Sequence, residues 1–460
     1  MKARYFVKRF LITFLIIVSG CANQLPPPGG PEDTKGPVVL EVSPLPNTTS
    51  FHGNKIIIRF DEDVDKRSVQ ESILITPDTD TKPEFEWDGN EVTFTYPGNL
   101  LPDRTYTIVV GTGVKDRIAG NHMDMPFQFA FSTGEKLDKS SVSGTIYAPT
   151  LNKIKIFAYL TEYKSENFNP DGLKPDFIAI PGSDGNYNLS NIPGGDYRVI
   201  SVIDENNNFI FNENLDKVSV SFKKTFVNED SSIAGVDFNF FEVEDELNSV
   251  SYLKTLFPVG TTGLYINIKN SAENLPVGII FNSYIKNKKL PFDQLRSDLK
   301  LFLNGETVES KLVFNPVSDS VIQIFPVQKF EPGQKGKLTF ITKETADTIN
   351  FSVIERDNAG VVEGSVTNKT EFQHRVVIRL MPTTEGLFTI TENPEYSGRF
   401  RFDLVPEGKY RLFSFIDVDG NGRFNKGSYF PFELSEPFFF YHEILNIRER
   451  WEIENVFIRF

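Results

Sequence analysis

Residues 55–60 read KIIIRF, residues 91–96 read EVTFTY and residues 398–402 read GRFRF. Every second residue of these segments is apolar, a period typical of β-strands that bury one face. Gly, Pro and Asn separate such segments, and the 43 Phe and 15 Tyr residues of the chain also favour strands. The sequence therefore predicts an all-β protein of tandem antiparallel β-sandwich domains, with short helical turns near residues 65–73 and 292–299.

The first twenty residues have the layout of a secretory signal peptide. Lys2, Arg4, Lys8 and Arg9 precede an apolar run over residues 10–18, which is too short to span a bilayer as a helix. The VSGC segment at residues 18–21 resembles the lipobox of bacterial lipoproteins. The resemblance implies a signal peptide over residues 1–20 and lipidation of Cys21, the one cysteine in the chain.

Residues 21–36 combine three consecutive prolines with glycines, a composition typical of a tether. No later segment is long and apolar enough for a transmembrane helix, so we expect the membrane contact to be made by the lipid anchor.

The charge of the chain argues against binding to nucleic acid. Its formal net charge is −14 at pH 7, and residues 1–20 carry basic but no acidic side chains. The mature protein would therefore be more acidic still, and such a surface repels phosphate backbones.

Residues 37–134 contain a series of motifs that are each typical of a strand or a turn. In chain order they are an SP pair, IRFDEDVD, LPDRTYT, KDRIAGN and a closing FAFSTG. Together they resemble the SbsA-type bacterial immunoglobulin-like (Ig-like) domain. The resemblance implies a β-sandwich that serves as a spacer or adhesion module on bacterial surfaces.

An internal repeat organises the rest of the chain. GNYNLSNIPGGDYRVISVIDENNNFIFN at residues 185–212 aligns without gaps with GRFRFDLVPEGKYRLFSFIDVDGNGRFN at residues 398–425. VSGTIY and VEGSVT precede the two segments, so we define a first repeat at residues 140–242 and a second repeat at residues 361–460. The repeated PxGxYR pattern, which follows Ile in the first repeat and Val in the second, resembles carboxypeptidase regulatory-like or Cna-B-type β-sandwiches.

Residues 245–357 lie between the two repeats. Their FEPGQKGKLTF segment is similar to the LPDRTYT feature of the first domain, which predicts a divergent Ig-like β domain. The predicted order is therefore an Ig-like domain and a repeat, followed by a second such pair.

Each repeat contains a loop rich in Asp and Asn. In the second repeat Asp417, Asp419, Asn421 and Asn425 occupy positions 1, 3, 5 and 9 of a calcium-type loop. Gly422 stands at position 6, and Arg423 at position 7, where the backbone carbonyl is the ligand. Position 12 is Ser428 instead of Glu, and Glu433 could substitute if the chain folds back. We expect either a structural calcium site here or a turn whose Asx side chains bond the backbone.

The equivalent loop of the first repeat is a weaker candidate for calcium. Asp204, Asn206, Asn208 and Asn212 provide its oxygen atoms, but Phe209 replaces the glycine and Leu215 stands at position 12. Apart from a possible structural calcium, no cofactor is expected.

No pattern in the sequence indicates catalysis. The four histidines, at positions 52, 122, 374 and 442, lack the spacing of a zinc site or a catalytic triad. The PFFFYHEI segment at residues 437–444, together with Trp451, offers either an aromatic platform for sugars or core side chains, and we favour core for Phe438, Phe440 and Trp451.

These features together resemble envelope lipoproteins of the Bacteroidota, which implies attachment to the outer membrane, facing either the periplasm or the outside. The function expected is a non-catalytic scaffold or a protein-interaction and adhesion module with an unknown envelope partner. The alternative is a glycan-binding accessory lipoprotein of a nutrient-uptake system.

Overall fold

The computed structural model describes residues 33–460, except for residues 80, 98–99, 162–167, 242–263, 267–270, 276–280, 286–296, 316–317, 327–330, 342–345, 384–388, 393 and 395–397. The predicted signal peptide, Cys21 and most of the predicted tether lie outside the described residues. The fold is all-β and consists mainly of antiparallel sheets, as the alternating pattern predicts. No helix among the described residues is long and apolar enough to span a bilayer.

The N-terminal sandwich is built from a four-stranded sheet of order β1-β2-β5-β4 and a three-stranded sheet of order β3-β6-β7. Its apolar core includes Ile58, Phe94 and Phe131. The strands and helix are β1 (Val39–Ser43), β2 (Lys55–Phe60), α1 (Lys66–Ser72), β3 (Ile73–Thr76), β4 (Glu84–Asp88), β5 (Glu91–Thr95), β6 (Thr105–Val110) and β7 (Phe127–Ser132).

Helix α1 confirms the first predicted helical turn. Asp65 caps its N-terminus, because the Asp65 Oδ1 accepts a hydrogen bond of 2.8 Å from the Ser68 backbone N–H. The second predicted helical turn lies largely within residues 286–296, outside the described residues.

Asp116 organises the turn between β6 and β7. Its Oδ1 accepts hydrogen bonds from the backbone N–H groups of Ile118, Ala119 and Gly120, and its Oδ2 accepts one from Asn121 at 2.7 Å. Burial raises the pKa of the Asp116 carboxyl, but the four hydrogen bonds outweigh it and lower that pKa below its ordinary value of 3.8.

The first repeat forms a sandwich of two sheets. One has the order β10-β9-β12-β13, with β14 also paired to β12, and the other has the order β11-β8-β15, with β16 also paired to β8. The strands are β8 (Ser140–Tyr147), β9 (Ile154–Leu160), β10 (Phe177–Ala179), β11 (Asn186–Ile192), β12 (Gly195–Ile203), β13 (Lys217–Val220), β14 (Thr225–Val227), β15 (Ser232–Ile233) and β16 (Phe238–Asn239).

Residues between the two repeats form two further sheets, of order β17-β19-β23-β22 and β18-β25-β24-β20-β21. The strands are β17 (Leu264–Ile266), β18 (Ser271–Leu275), β19 (Phe281–Ile285), β20 (Leu299–Leu303), β21 (Glu306–Val308), β22 (Ser310–Asn315), β23 (Ser318–Pro326), β24 (Lys335–Ile341) and β25 (Ala346–Val353). A short 3-10 turn (Arg356–Asn358) leads into the second repeat.

The second repeat has a sheet of order β29-β26-β34, a sheet of order β28-β27-β30-β33, and a hairpin of β31 and β32. The strands are β26 (Ala359–Thr367), β27 (Arg375–Pro382), β28 (Ile390–Glu392), β29 (Gly398–Pro406), β30 (Gly408–Asp417), β31 (Ser428–Tyr429), β32 (Phe432–Glu433), β33 (Phe438–Ile447) and β34 (Glu452–Arg459).

The tyrosine of the repeated PxGxYR pattern has the same role in both repeats. The Tyr197 hydroxyl donates to the Pro193 carbonyl at 2.7 Å, and the Tyr410 hydroxyl donates to the Pro406 carbonyl at 3.0 Å. Each tyrosine therefore links the strand in which it lies, β12 or β30, to the end of the strand before it. This contact requires the tyrosine to follow the proline by four residues, the spacing found in both repeats.

Candidate functional site

The Asx-rich loop of the second repeat begins where β30 ends, at Asp417. Strand β27 pairs with β30 so that Arg375 lies opposite Asp417, and an Arg375 guanidinium nitrogen is 2.5 Å from Asp417 Oδ2. The Asp417 carboxylate also accepts hydrogen bonds from the Gly422 backbone N–H, at 3.2 and 3.1 Å. The side chain at position 1 is buried and already neutralised by a cation of the protein.

Glu436 closes the same loop from outside the predicted motif. Its Oε1 accepts a 2.7 Å hydrogen bond from the Val418 N–H, and its Oε2 accepts a 3.0 Å hydrogen bond from the Asn425 N–H. One carboxylate atom each from Asp417, Asp419 and Glu436 lie within 4.8 Å of one another. Burial, and then the negative charges of Asp419 and Asp417, raise the pKa of Glu436.

The other predicted ligands bond the backbone of their own loop. Asp419 Oδ1 accepts from the Asn421 N–H at 3.0 Å, and Asn421 Oδ1 accepts from the Arg423 N–H at 2.6 Å. Asn425 Oδ1 accepts from the Gly427 N–H at 2.9 Å. These are the contacts by which Asp and Asn favour turns.

The carboxylate that folds back onto the loop is Glu436, and not Glu433. Glu433 lies exposed in the β31–β32 hairpin, which stands between the loop and β33. The role of Glu436 could not be predicted from its distance along the sequence. The corresponding residue of the first repeat is separated from its loop by a different number of residues.

That corresponding residue is Asp216. Its Oδ1 accepts a 2.9 Å hydrogen bond from the Glu205 N–H, and its Oδ2 accepts a 2.8 Å hydrogen bond from the Asn212 N–H. Glu205 and Asn212 align with Val418 and Asn425, so the same two loop positions are joined by a carboxylate in each repeat.

Lys155 provides the cation in the loop of the first repeat. Its ammonium group is 3.2 Å from Asp204 Oδ2 and 2.7 Å from Asn207 Oδ1. The side chains of Lys155 and Asp204 are 5% and 0% exposed. Burial lowers the pKa of Lys155, and the charge of Asp204 opposes that shift.

The remaining predicted ligands of this loop contact one another. Asn212 Oδ1 accepts hydrogen bonds from the side-chain amides of Asn206, at 3.2 Å, and Asn208, at 2.9 Å. The structure therefore brings the predicted residues of each loop together. The aspartate at position 1 of each loop, however, already pairs with a cationic side chain of the protein, Lys155 in the first repeat and Arg375 in the second. Calcium stays a prediction at both loops, and binding would require the ion to compete with a cation of the protein.

Phe438 and Phe440 are buried, as we favoured, but their neighbours are not those of the last sandwich core. They belong to a separate aromatic cluster with Phe413, Phe415 and Phe424. The prediction of a core position is wrong for Trp451, which is 60% exposed and whose ring centre lies 5.0 Å from the Arg448 guanidinium. The alternative considered from the sequence, an aromatic platform that combines these phenylalanines with Trp451, is not formed either.

Residues 33–133 match the bacterial Ig-like domain family. This range agrees with the resemblance seen for residues 37–134, and domains of this family are typically extracellular or associated with the cell envelope. No curated protein matches the chain.

Solved structures show similarity at low identity. An L,D-transpeptidase from Mycobacterium smegmatis is 16% identical, with 35% of this chain and 75% of that chain covered and a TM-score of 0.17. The S-layer protein rSbsC is 10% identical, with 83% and 64% covered and a TM-score of 0.17. The first four Ig domains of Dscam1 are 11% identical, with 92% and 100% covered and a TM-score of 0.14.

Proposed function

We propose that this chain is a lipid-anchored protein of the bacterial cell envelope that acts as a structural scaffold or interaction module, without catalysis. The lipobox at Cys21 and the tether behind it support the anchor. The all-β architecture and the bacterial Ig-like domain at residues 33–133 are consistent with a structural or interaction role. Attachment to the outer membrane is part of the same proposal.

The observation that carries the proposal is the use of polar side chains in the two repeat loops. Asp204 and Asp417 are bound to Lys155 and Arg375, and the clamping carboxylates bind backbone N–H groups. Catalytic acids and bases need access to a substrate proton. These side chains instead hold the loops in one conformation, which suits a rigid spacer.

The anchor is tested by the Cys21→Ala variant, expressed with its signal peptide in a bacterial host. Wild-type protein should incorporate labelled palmitate and sediment with the outer membrane, whereas the variant should incorporate none. Palmitate labelling that persists in the variant would refute the lipid anchor.

The interaction role is tested by chemical crosslinking in intact cells, with the wild-type chain and the Cys21→Ala variant compared. We expect one discrete adduct with an envelope protein, which should weaken when the chain is no longer anchored. Diffuse labelling that is identical in both strains would contradict a specific partner.

Trp451 favours the alternative function, which is glycan binding. An exposed indole beside an arginine can stack on a sugar ring, and Trp451 lies on the surface of the second repeat. Affinity electrophoresis in gels that contain soluble polysaccharides should then show retardation of the wild-type protein, and Trp451→Ala should abolish it. Equal mobility of the two proteins in every polysaccharide would exclude this alternative.

A further inference from the structure

The central sheet of the first repeat is buried on both of its faces. Val199 and Ala158 point into the core of the sandwich. Ile200 and Phe157, which pair in register and face the other way, are also buried, at 1% and 0% exposure. Because neighbouring residues of a strand face opposite sides of the sheet, a second layer must cover this outer face.

The equivalent sheet of the second repeat is also buried on both faces. Its outer face is rich in phenylalanine and is formed by Val377, Phe413, Phe415, Phe438 and Phe440. Ile200 aligns with Phe413 and Phe211 aligns with Phe424, so the two repeats present the same face. A solvent-exposed surface of this composition would be strongly unfavourable.

The second repeat covers the outer face of the first. Its β31–β32 hairpin carries Tyr429 and Phe432, which pack on the cluster of Phe157, Ile200 and Phe211. The rings of Phe211 and Tyr429 are 4.9 Å apart, and the Arg198 guanidinium lies 4.6 Å from the centre of the Phe432 ring.

The first repeat in turn covers the outer face of the second. Tyr147 stacks on Phe440 with ring centres 4.7 Å apart, and Phe241 lies 5.5 Å from the same ring. Phe222 meets Phe438 at 6.0 Å. The Arg411 guanidinium is 3.8 Å from the centre of the Phe241 ring.

The reciprocity is visible at one position of the repeated motif. Arg198 and Arg411 are the arginines of the two PxGxYR patterns, and each stacks on an aromatic ring supplied by the other repeat. The aromatic residues that cover the two faces come from different elements. In the second repeat they lie in the inserted β31–β32 hairpin, whereas in the first repeat Tyr147, Phe222 and Phe241 lie at or just after the ends of strands. A backbone hydrogen bond of 3.3 Å from Ser435 N–H to the Ser221 carbonyl joins the two repeats directly.

We propose that the two repeats are each other's binding partner, and that they form an intramolecular clasp in which each repeat covers the outer sheet face of the other. The clasp consists of Tyr429, Phe432 and Arg411 from the second repeat and Tyr147, Phe222, Phe241 and Arg198 from the first. Residues 243–360 are then an insertion within a single interlocked unit, instead of one link in a linear string of domains.

A disulfide across the clasp tests the proposal. The experiment uses the full chain with Cys21→Ser, which contains no other cysteine. A backbone hydrogen bond between residues places their Cα atoms at about the separation that a disulfide spans, roughly 4.4–6.8 Å. Ser221→Cys together with Ser435→Cys should therefore oxidise to a monomer that migrates faster on a non-reducing gel.

Each single cysteine variant is the matched control and should not change its mobility as a monomer. Reduced thiols in the double variant after oxidation would overturn the clasp. Disulfide-linked dimers in place of the compact monomer would overturn it too, because they would show contact between copies.

A double-mutant cycle provides a second measurement that does not depend on disulfide geometry. Arg411→Ala combined with Phe241→Ala should show coupling of about 2- to 30-fold in the unfolding constant, the range for cation–π contacts. The crossed pair of Arg411→Ala with Phe432→Ala should be additive, because Arg411 stacks on Phe241 instead. Additivity in both pairs would contradict the proposal.

Discussion

Lys155 and Asp204 show how a buried charge is tolerated in the first repeat. Each removes water from the other, and the cost is offset by their 3.2 Å contact and by the hydrogen bonds that Asp204 accepts from the Asn208 and Phe209 N–H groups. The arginine that pairs with Asp417 in the second repeat, Arg375, occupies a different position of its strand from that of Lys155 and is half exposed. The same loop architecture therefore depends on its ion pair much more strongly in the first repeat.

Asp204→Asn should destabilise the protein by about 3–5 kcal/mol, because it removes the nearest counter-charge of the buried Lys155 ammonium, and the carboxylate of Asp216 is more distant. Urea unfolding followed by fluorescence measures the change. Glu205→Gln is the matched control, since it removes the exposed pair with Lys153 and should cost less than about 1 kcal/mol. Equal effects of the two substitutions would show that the buried pair has no special role.

Asp116 should contribute to the acid sensitivity of the Ig-like domain. Its pKa is lower in the folded protein than its ordinary value of 3.8, so its stabilising contribution is complete above that value. The contribution is lost as the pH falls through the folded pKa. Urea midpoints at pH 7 and pH 3 should therefore differ less for Asp116→Asn than for the wild type.

Asp63→Asn serves as the control for the acid experiment. Asp63 is exposed, and its carboxylate makes only a long contact, of 3.8 Å, with the exposed Arg117 guanidinium. It should retain the pH dependence of the wild type. A variant at Asp116 with an unchanged difference between pH 7 and pH 3 would contradict the role assigned to the four backbone hydrogen bonds.

Calcium binding by the loop at Asp417, Asp419 and Glu436 can be separated from the effect of Arg375. If the predicted site binds calcium, millimolar calcium should raise the melting temperature, and Arg375→Gln should enlarge the shift because the competing guanidinium is gone. Glu436→Gln should abolish the shift. A melting temperature that is insensitive to calcium in both wild type and Arg375→Gln would remove the metal from the account.

At the scale of elements, the recurring hairpin of each repeat is held by a tyrosine. Tyr197 and Tyr410 are both buried, and each hydroxyl reaches a proline carbonyl four residues earlier. The hydrogen bond joins the end of one strand to the start of the next, so it supports the turn that the PxG residues form in each repeat. The β31–β32 hairpin differs from these recurring hairpins. It occurs in the second repeat alone among the described residues, and it packs on the first repeat.

Tyr197→Phe and Tyr410→Phe should each destabilise the protein by about 1 kcal/mol, since each removes one hydrogen bond to a proline carbonyl but keeps the ring. Thermal unfolding of both variants gives the comparison. A loss in one repeat and none in the other would show that the two tyrosines are not equivalent.

At the scale of the whole molecule, the two repeats are far apart in the chain and adjacent in space. Their contact buries aromatic faces that would otherwise be exposed to solvent. Residues 243–360 are therefore an insertion between two repeats that pack on each other. Because each repeat covers a face of the other, we expect the two repeats to unfold together, unlike independent domains.

Cleavage of the chain between the repeats should leave them associated. A protease site placed at residues 245–250 divides the chain without removing any clasp residue, and the two fragments should elute together in gel filtration at low salt and in the absence of denaturant. The same cleavage in a chain with Tyr429→Ser, Phe432→Ser and Phe241→Ser should release two separate fragments. Separation of the wild-type fragments would contradict mutual cover.

The alternation of apolar residues determined the strands, because a side-chain period of two encodes burial along each strand by itself. The same is true of the repeat, the tyrosine hairpins and the Asx turns, all of which depend on residues near one another in sequence. Sequence spacing could not identify Lys155, Arg375, Asp216 or Glu436 as partners of the loops, because strand pairing and chain reversal bring them there. Nor could it show what covers Phe413 and Phe440: local patterning marks a face as buried, whereas only long-range packing decides that the other repeat buries it.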